Sequence, residues 1–217
     1  MAVSVVTCVT GNFNKVHKTD ISEAYVVTTL RDESFKNHCK DMGWKVVYLD
    51  YPHTNDLYKA TRQSKYVKTL KAFKPRTKHV IYVDHKYIIE NKHIQPLIDT
   101  IGDEPFLSFK NPKTVYREFY DSMAYDRYVS TISEIRRNVN ECGEAELFYG
   151  GLIMYNTQHS DFERITAKMN AAIERYNHAQ DQFLFPLSIK DEKKVLIHNT
   201  IGLEHKSPQP QIQGLTY

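Results

Sequence analysis

Four short β-rich runs, alternating with polar helix-like stretches, constrain the first half of this chain more than any other feature. The runs are Val3 to Val9, Ala24 to Thr29, Trp44 to Leu49 and His79 to Val83. Between the third and fourth, Asp56 to Phe73 carries Leu57, Ala60, Ser64 and Val67 at helical spacing. Strands that alternate with helices predict one α/β domain, with a central, mixed but mostly parallel sheet flanked by helices.

The second half continues the pattern less regularly. A strand is expected at Phe106 to Phe109 and a long polar helix from about Val115 to Arg137. The apolar segment Leu147 to Tyr155 is interrupted by Gly150 and Gly151. Next, Ser160 and Glu163 have the spacing of a capping box. Phe162, Ile165, Met169, Ala172, Ile173 and Tyr176 form one apolar helical face. A short helix is expected near Ala179 and a last strand at Lys194 to Ile197. A domain over residues 1–205 follows, with one half to about 110 and a second from 111. Residues 206–217, rich in Pro and Gln, read as a tail or a linker to a further domain.

Charge and composition exclude some classes. The 217 residues carry 29 basic and 26 acidic side chains, a net +3 that is too mild to require nucleic acid. The basic series Lys59, Arg62, Lys65, Lys68, Lys71 and Lys74 recurs every three residues and so drifts around its helix. Arg62 and Lys65 are kept as ligand contacts, and the later lysines are expected in solvent. The cysteines Cys8, Cys39 and Cys142 are odd in number and widely spaced, which favours a reducing, cytoplasmic setting. No run approaches the ~20 apolar residues of a membrane helix, so no span is expected.

The chemistry concentrates at the end of the fourth run. An apolar strand delivers Asp84 at its carboxyl end, where open α/β sheets place their ligands. A carboxylate there can hold a divalent cation, or it can simply end a turn. Gly150 and Gly151, inside a strand, mark either close approach to a bound group or a bulge. Asp181, near a helix start, is a candidate base or ligand contact, or a helix cap. Asp126, Glu144 and Glu146 are rival bases. Thr7, Thr10, Gly11 and Asn12 stand in the polar loop position at the end of the first run, and Asp32 follows the second. Both stretches suit a ligand or ordinary turn chemistry.

Taken in order, these pieces resemble the A-type (GT-A) nucleotide-sugar glycosyltransferases. The opening VVTCVTGNFNKV, the Arg62–Lys65 Arg-x-x-Lys pattern, VIYVDHK, LFYGGLIMYN and Asp181-Gln182 carry the resemblance over most of residues 3–187. It is nearest to short enzymes encoded by large algal viruses, which implies a host cytoplasm and neighbouring domains. The resemblance implies a UDP-sugar donor, a glycan or glycoprotein acceptor, and manganese or magnesium. It assigns Thr7, Thr10, Gly11, Asn12, Asp32, Arg62, Lys65 and Lys86 to the nucleotide and diphosphate. Gly150, Gly151 and Gln182 go to the sugars, Asp84 and Asp181 to catalysis, and Asp84 with His198 to the metal. His205 is close enough in sequence to be confused with His198.

One position departs from the family pattern: Lys86 replaces the second acid of an Asp-x-Asp signature. Either the metal is held by Asp84, the donor phosphates and His198, or Lys86, Arg62 and Lys65 replace it as the charge sink. The alternative to an enzyme is a degenerate fold that holds a nucleotide or glycan without turnover. A dinucleotide-dependent oxidoreductase is disfavoured, since Thr10-Gly11-Asn12-Phe13-Asn14 has one glycine of the three required.

Overall fold

The computed structural model describes residues 3–11, 15–198 and 203–205. Its elements are β1 (Val3–Val9), β2 (Ala24–Thr28), α1 (Glu33–Asp41), β3 (Lys45–Tyr48), α2 (Leu57–Lys68), β4 (His79–Val83), β5 (Tyr87–Ile88) and α3 (Asn91–Ile101). There follow β6 (Phe106–Lys110), α4 (Val115–Ser122), α5 (Asp126–Val129), α6 (Ile132–Cys142), β7 (Phe148–Asn156), α7 (Phe162–Tyr176), α8 (Asp181–Ser188), β8 (Val195–Ile197) and β9 (Glu204–His205).

Seven strands form one sheet in the order β3-β2-β1-β4-β7-β6-β8. All neighbouring pairs are parallel except those made by β7, which runs antiparallel to β4 and β6. The chain steps outward from β1 to β3 and then returns to place β4 on the other side of β1. That reversal opens a crevice beyond the carboxyl ends of β1 and β4.

The period-2 alternation of each strand divides the core. Val6, Val80, Tyr82, Ile153 and Tyr155 face α2, α7 and α8 in one apolar layer. Val5, Ile81, Val83, Leu152 and Met154 face α1 and α3 in the other. A third cluster joins α4, α5 and α6 to Phe183 and Leu187 of α8. The apolar face foreseen for α7 is buried in full.

Several local expectations are corrected. The long helix over 115–137 is three helices. The Ser122 hydroxyl bonds back to the Glu118 carbonyl at 2.8 Å, and Tyr125 turns extended ahead of α5. The Ser160–Glu163 capping box does not form, because the N-cap of α7 is one residue later, Asp161, and makes no side-chain cap bond. Glu163 pairs with Lys74 instead, at 2.5 Å. Leu57, placed on the buried face of α2, is 41% exposed. Helices α1 and α3 had no counterpart in the sequence reading. Asp32 caps α1, and Pro96 lies inside α3, where a break is the usual expectation.

Candidate functional site

Helix α2 begins at Asp56, whose side chain accepts from the Lys59 amide, and runs along the sheet toward β4 and β7. Ala60, Lys65, Val67 and Lys68 are its buried positions. Two lysines are thereby carried into the protein, Lys65 at 5% and Lys68 at 3% exposure. Isolated buried ammoniums are strongly disfavoured, so each needs a partner.

The partners come from two other elements. Asp84 leaves β4 with its amide bonded to the Gly151 carbonyl at 2.8 Å. Asp181 opens α8. The Lys68 ammonium lies 2.9 Å from Asp84 Oδ1, 2.6 Å from Asp181 Oδ2 and 2.8 Å from the Gly150 carbonyl. Lys65 lies 3.0 Å from the same Asp181 oxygen. Tyr82 donates its hydroxyl to Asp84 Oδ1 at 2.9 Å. The result is an alternating chain of charges, Lys65–Asp181–Lys68–Asp84, at the carboxyl end of β4.

The glycine pair exists for this chain of charges. A Cβ at Gly150 would fall 2.4 Å from Asp181 Oδ2, and one at Gly151 would fall 2.9 Å from the Tyr87 ring and 3.3 Å from Asp84 Oδ2. Only bare backbone lets both carboxylates approach β7. The bulge is present as well. The β6–β7 register shifts between Ser108 and Phe109, and the Ser108 hydroxyl bonds the Tyr149 and Leu152 carbonyls.

Electrostatics follow from the geometry. Burial pushes the Asp181 carboxyl up, but Lys65 and Lys68 outweigh it and hold it well below the usual carboxylate range. Burial also works to raise Asp84, and Lys68 and then Lys86 overcome it. The Lys68 ammonium, disfavoured by burial, is held above the usual lysine range by Asp181 and Asp84. Lys65 has one carboxylate for a direct partner, and burial pulls it down to about 8.

The same edge of the sheet carries a cleft of about 510 Å³, lined by Gly11, Lys15, Leu30, Asp32, Ser34, Phe35, His38 and His53. It opens beyond β1 and β2, beside the crevice between β1 and β4. Of the residues expected here, Gly11 and Asp32 line it. Asp32 also caps α1, accepting from the Phe35 amide at 2.8 Å and from the Ser34 hydroxyl. Thr10 spends its hydroxyl on the Ala60 carbonyl, 2.9 Å away. Thr7 is buried within β1, and its hydroxyl lacks a partner among the described residues. Asn12 lies outside the described residues.

The remaining candidates disperse. Arg62 turns away from Lys65 onto the end of α7, donating to the Ile173 carbonyl and to Asn177 and lying 3.4 Å from Glu174. Lys86 is half-buried and makes no hydrogen bond or ion pair among the described residues; its ammonium is 6.0 Å from the Tyr87 ring centre. Gln182 is half-buried on the first turn of α8. His198 is exposed after β8, three strands across from β4, a lateral step of roughly 14 Å at ordinary strand spacing. Glu146, lowered chiefly by Lys110, is a charge that His198 does act on. The His205 backbone, by contrast, pairs with Tyr87 in the small β5–β9 sheet. Glu144 and Glu146 are exposed ahead of β7, and the Asp126 side chain is outside the described residues. Lys68 and Lys15 were missed. Lys68 stands eight residues from Ala60 and four from Ser64, a spacing that places it on their face of α2.

These residues do not suit a divalent cation. Hard cations take several oxygen ligands. Here the oxygens of Asp84, Asp181 and the Gly150 carbonyl converge on one point, and the Lys68 ammonium already fills it, with Lys86 two residues beyond Asp84. No group of three His, Cys, Asp or Glu suited to a metal occurs among the described residues. Asp181 is also an ill-placed base, since its Oδ2 already accepts from both Lys65 and Lys68.

Solved structures share this architecture. The chain matches the WbbM bifunctional glycosyltransferase over 90% of its own length and 38% of that chain, with a TM-score of 0.52 and 14% identity. It matches the galactosyltransferase LgtC, solved with donor and acceptor sugar analogues, over 89% of its length and 72% of that chain, with a TM-score of 0.51 and 12% identity. For the glycosyltransferase GlyE of Streptococcus pneumoniae TIGR4 the figures are 91%, 45%, 0.51 and 12%. No protein-family model and no curated protein matches the chain. At these identities the likeness establishes the fold: a single α/β domain with a seven-stranded, mostly parallel mixed sheet, resembling the GT-A glycosyltransferases.

Proposed function

We propose that this chain is a glycosyltransferase that moves a sugar from a nucleoside-diphosphate sugar, with UDP the favoured carrier, to a glycan or glycoprotein acceptor. One observation carries the reading. Asp84, Asp181 and two buried lysines converge on a glycine pair at the carboxyl edge of a GT-A-like sheet, beside a cleft sized for a nucleoside. In this reading Gly11, Lys15 and Asp32 receive the nucleoside, and the diphosphate lies toward Lys86. The transferred sugar rests near Asp181 and Gln182. A cytoplasmic setting, a viral source and further domains on the same polypeptide belong to the same reading.

The chemistry asked of the site is modest. The bond between the anomeric carbon and the phosphate oxygen breaks, and its electron pair leaves with the diphosphate. A new bond forms to the acceptor oxygen. The departing phosphate oxygen, with a pKa of about 6, takes the acceptor proton, because Asp181 is engaged by two lysines. Asp181 then serves as a positioning residue, holding Lys65 and Lys68 in place. Stabilising the leaving charge is the main requirement.

The test is slow donor hydrolysis. Incubated with a panel of UDP-sugars and no acceptor, the wild-type protein should release UDP from at least one, and Asp84→Asn should not. Failure to turn over any nucleotide sugar, despite nucleotide binding, would favour a non-catalytic binding module.

A further inference from the structure

We infer that the diphosphate leaving group is neutralised here by lysine ammoniums rather than by a divalent cation, so that donor binding and transfer proceed without metal. The inference rests on the function proposed above and concerns the charge balance of that same site.

The seat a cation would take beside Asp84 is filled from within the chain. The Lys68 ammonium reaches Asp84 at 2.9 Å, Asp181 at 2.6 Å and the Gly150 carbonyl at 2.8 Å. These three contacts use all three of its donors. A divalent cation at Asp84 would have to displace Lys68. The ammonium so released would lie buried between a metal and Asp181, and uncompensated buried charge is costly. Lys68 also covers the Tyr82 ring, at 5.1 Å, so its stem is packed as well as paired.

The same bonds leave Lys68 unable to donate to a phosphate. That duty falls to groups with donors to spare. Lys86 is half-buried, two residues beyond Asp84, and has no hydrogen bond or ion pair among the described residues. Lys65 has a direct contact to Asp181 alone among the carboxylates, and sits one helical turn before Lys68. When the diphosphate arrives, Lys86, which until then acts on Asp84 only at a distance, gains a direct ionic partner, and Lys65 is the second ammonium with a donor to spare. The two carboxylates stay matched by Lys68.

The experiment is a calorimetric titration of UDP in EDTA and again in millimolar manganese, paired with the electron paramagnetic resonance signal of Mn²⁺. The expected result is UDP binding in EDTA that manganese changes by less than about twofold, and a free-ion Mn²⁺ spectrum with wild-type protein. Lys86→Ala should lose about tenfold or more in UDP affinity in EDTA at an unchanged melting temperature. Lys68→Met, which empties the cation seat, should acquire Mn²⁺ binding; should that variant not fold, the wild-type spectra decide. UDP binding that appears only with manganese, or stoichiometric Mn²⁺ binding by the wild type, would overturn the inference and leave the transferase reading intact. Failure of every nucleotide to bind would remove the transferase reading, and this inference with it.

Discussion

Replacing Gly150 with alanine puts the role of the glycine pair under direct test. The new methyl would lie 2.4 Å from Asp181 Oδ2, 2.8 Å from its Cγ and 3.2 Å from its Cβ. Ordinary carbon–oxygen contacts begin about 1 Å farther out, so something must move. Asp181 cannot swing freely, because Oδ2 accepts from Lys65 at 3.0 Å and from Lys68 at 2.6 Å. If the backbone of β7 gives way, the cost is that of overpacking, about 1–3 kcal/mol. If Asp181 gives way, the buried pair breaks, at about 3–5 kcal/mol. An intermediate compromise gives about 2–4 kcal/mol, which for a domain of this size lowers the melting temperature by roughly 4–16 °C. The assay is thermal and urea unfolding of Gly150→Ala, Asp181→Ala and the double variant. In the Asp181→Ala background the two shortest contacts are gone and only the 3.2 Å approach to the Cβ of residue 181 remains, so the glycine substitution should cost less, with a coupling of about 1–3 kcal/mol. Gly150→Ala melting with the wild type, or full additivity in the double variant, would refute this account of the glycine.

Other consequences follow from the same geometry. Asp84 and Asp181 both have lowered folded-state pKa values, so the stability they contribute is present above the unfolded value of about 3.9 and is lost as pH falls toward the folded values. Urea midpoints should therefore fall steeply below pH 4, and Asp181→Asn should flatten that limb by one proton, about 1.4 kcal/mol per pH unit; parallel limbs would show that Asp181 titrates normally. Arg62→Ala should destabilise by about 1–2 kcal/mol through its lost contacts to α7, with UDP affinity unchanged in calorimetry. A selective loss of UDP affinity would return Arg62 to the donor site.

How far the sequence reveals this molecule depends on the range of the interactions involved. Strand β4 and the residue at its end were legible because a run of buried β-formers leaves no other reading for His79 to Val83. The face of α7 was legible for the same local reason. The Asp181 position came from its place in a family-like order of motifs. Its actual partners did not, since Lys65 and Lys68 lie 116 and 113 residues away in the chain. In a basic series with a three-residue period, every lysine resembles its neighbours. The rotation of α2 against β4 and β7 turns Lys68 inward, and α2 ends there, so Lys71 lies past the helix and stays half in solvent. Arg62 and Lys65 were paired by spacing, yet the structure sends one to α7 and the other to Asp181. The glycine pair was read as a bulge or as room for a ligand. It is a bulge whose space is filled by Asp181 and Tyr87. Pro96 acts against the local helix signal, yet α3 runs through it with Leu97, Ile98 and Ile101 buried, so packing overrides propensity there; the end of α4 is a local effect of the Ser122 hydroxyl.

The central claim is that a nucleoside diphosphate binds at the carboxyl edge of this sheet, against Asp84 and its lysines. The most direct measurement is calorimetric titration of UDP, GDP and CMP into the wild-type protein and Asp84→Asn. The account predicts one UDP per chain, selected over GDP and CMP, and clearly weakened in Asp84→Asn, where the partner of Lys68 is uncharged. Binding that is indifferent to Asp84→Asn, or no binding of any of the three nucleotides, would contradict it.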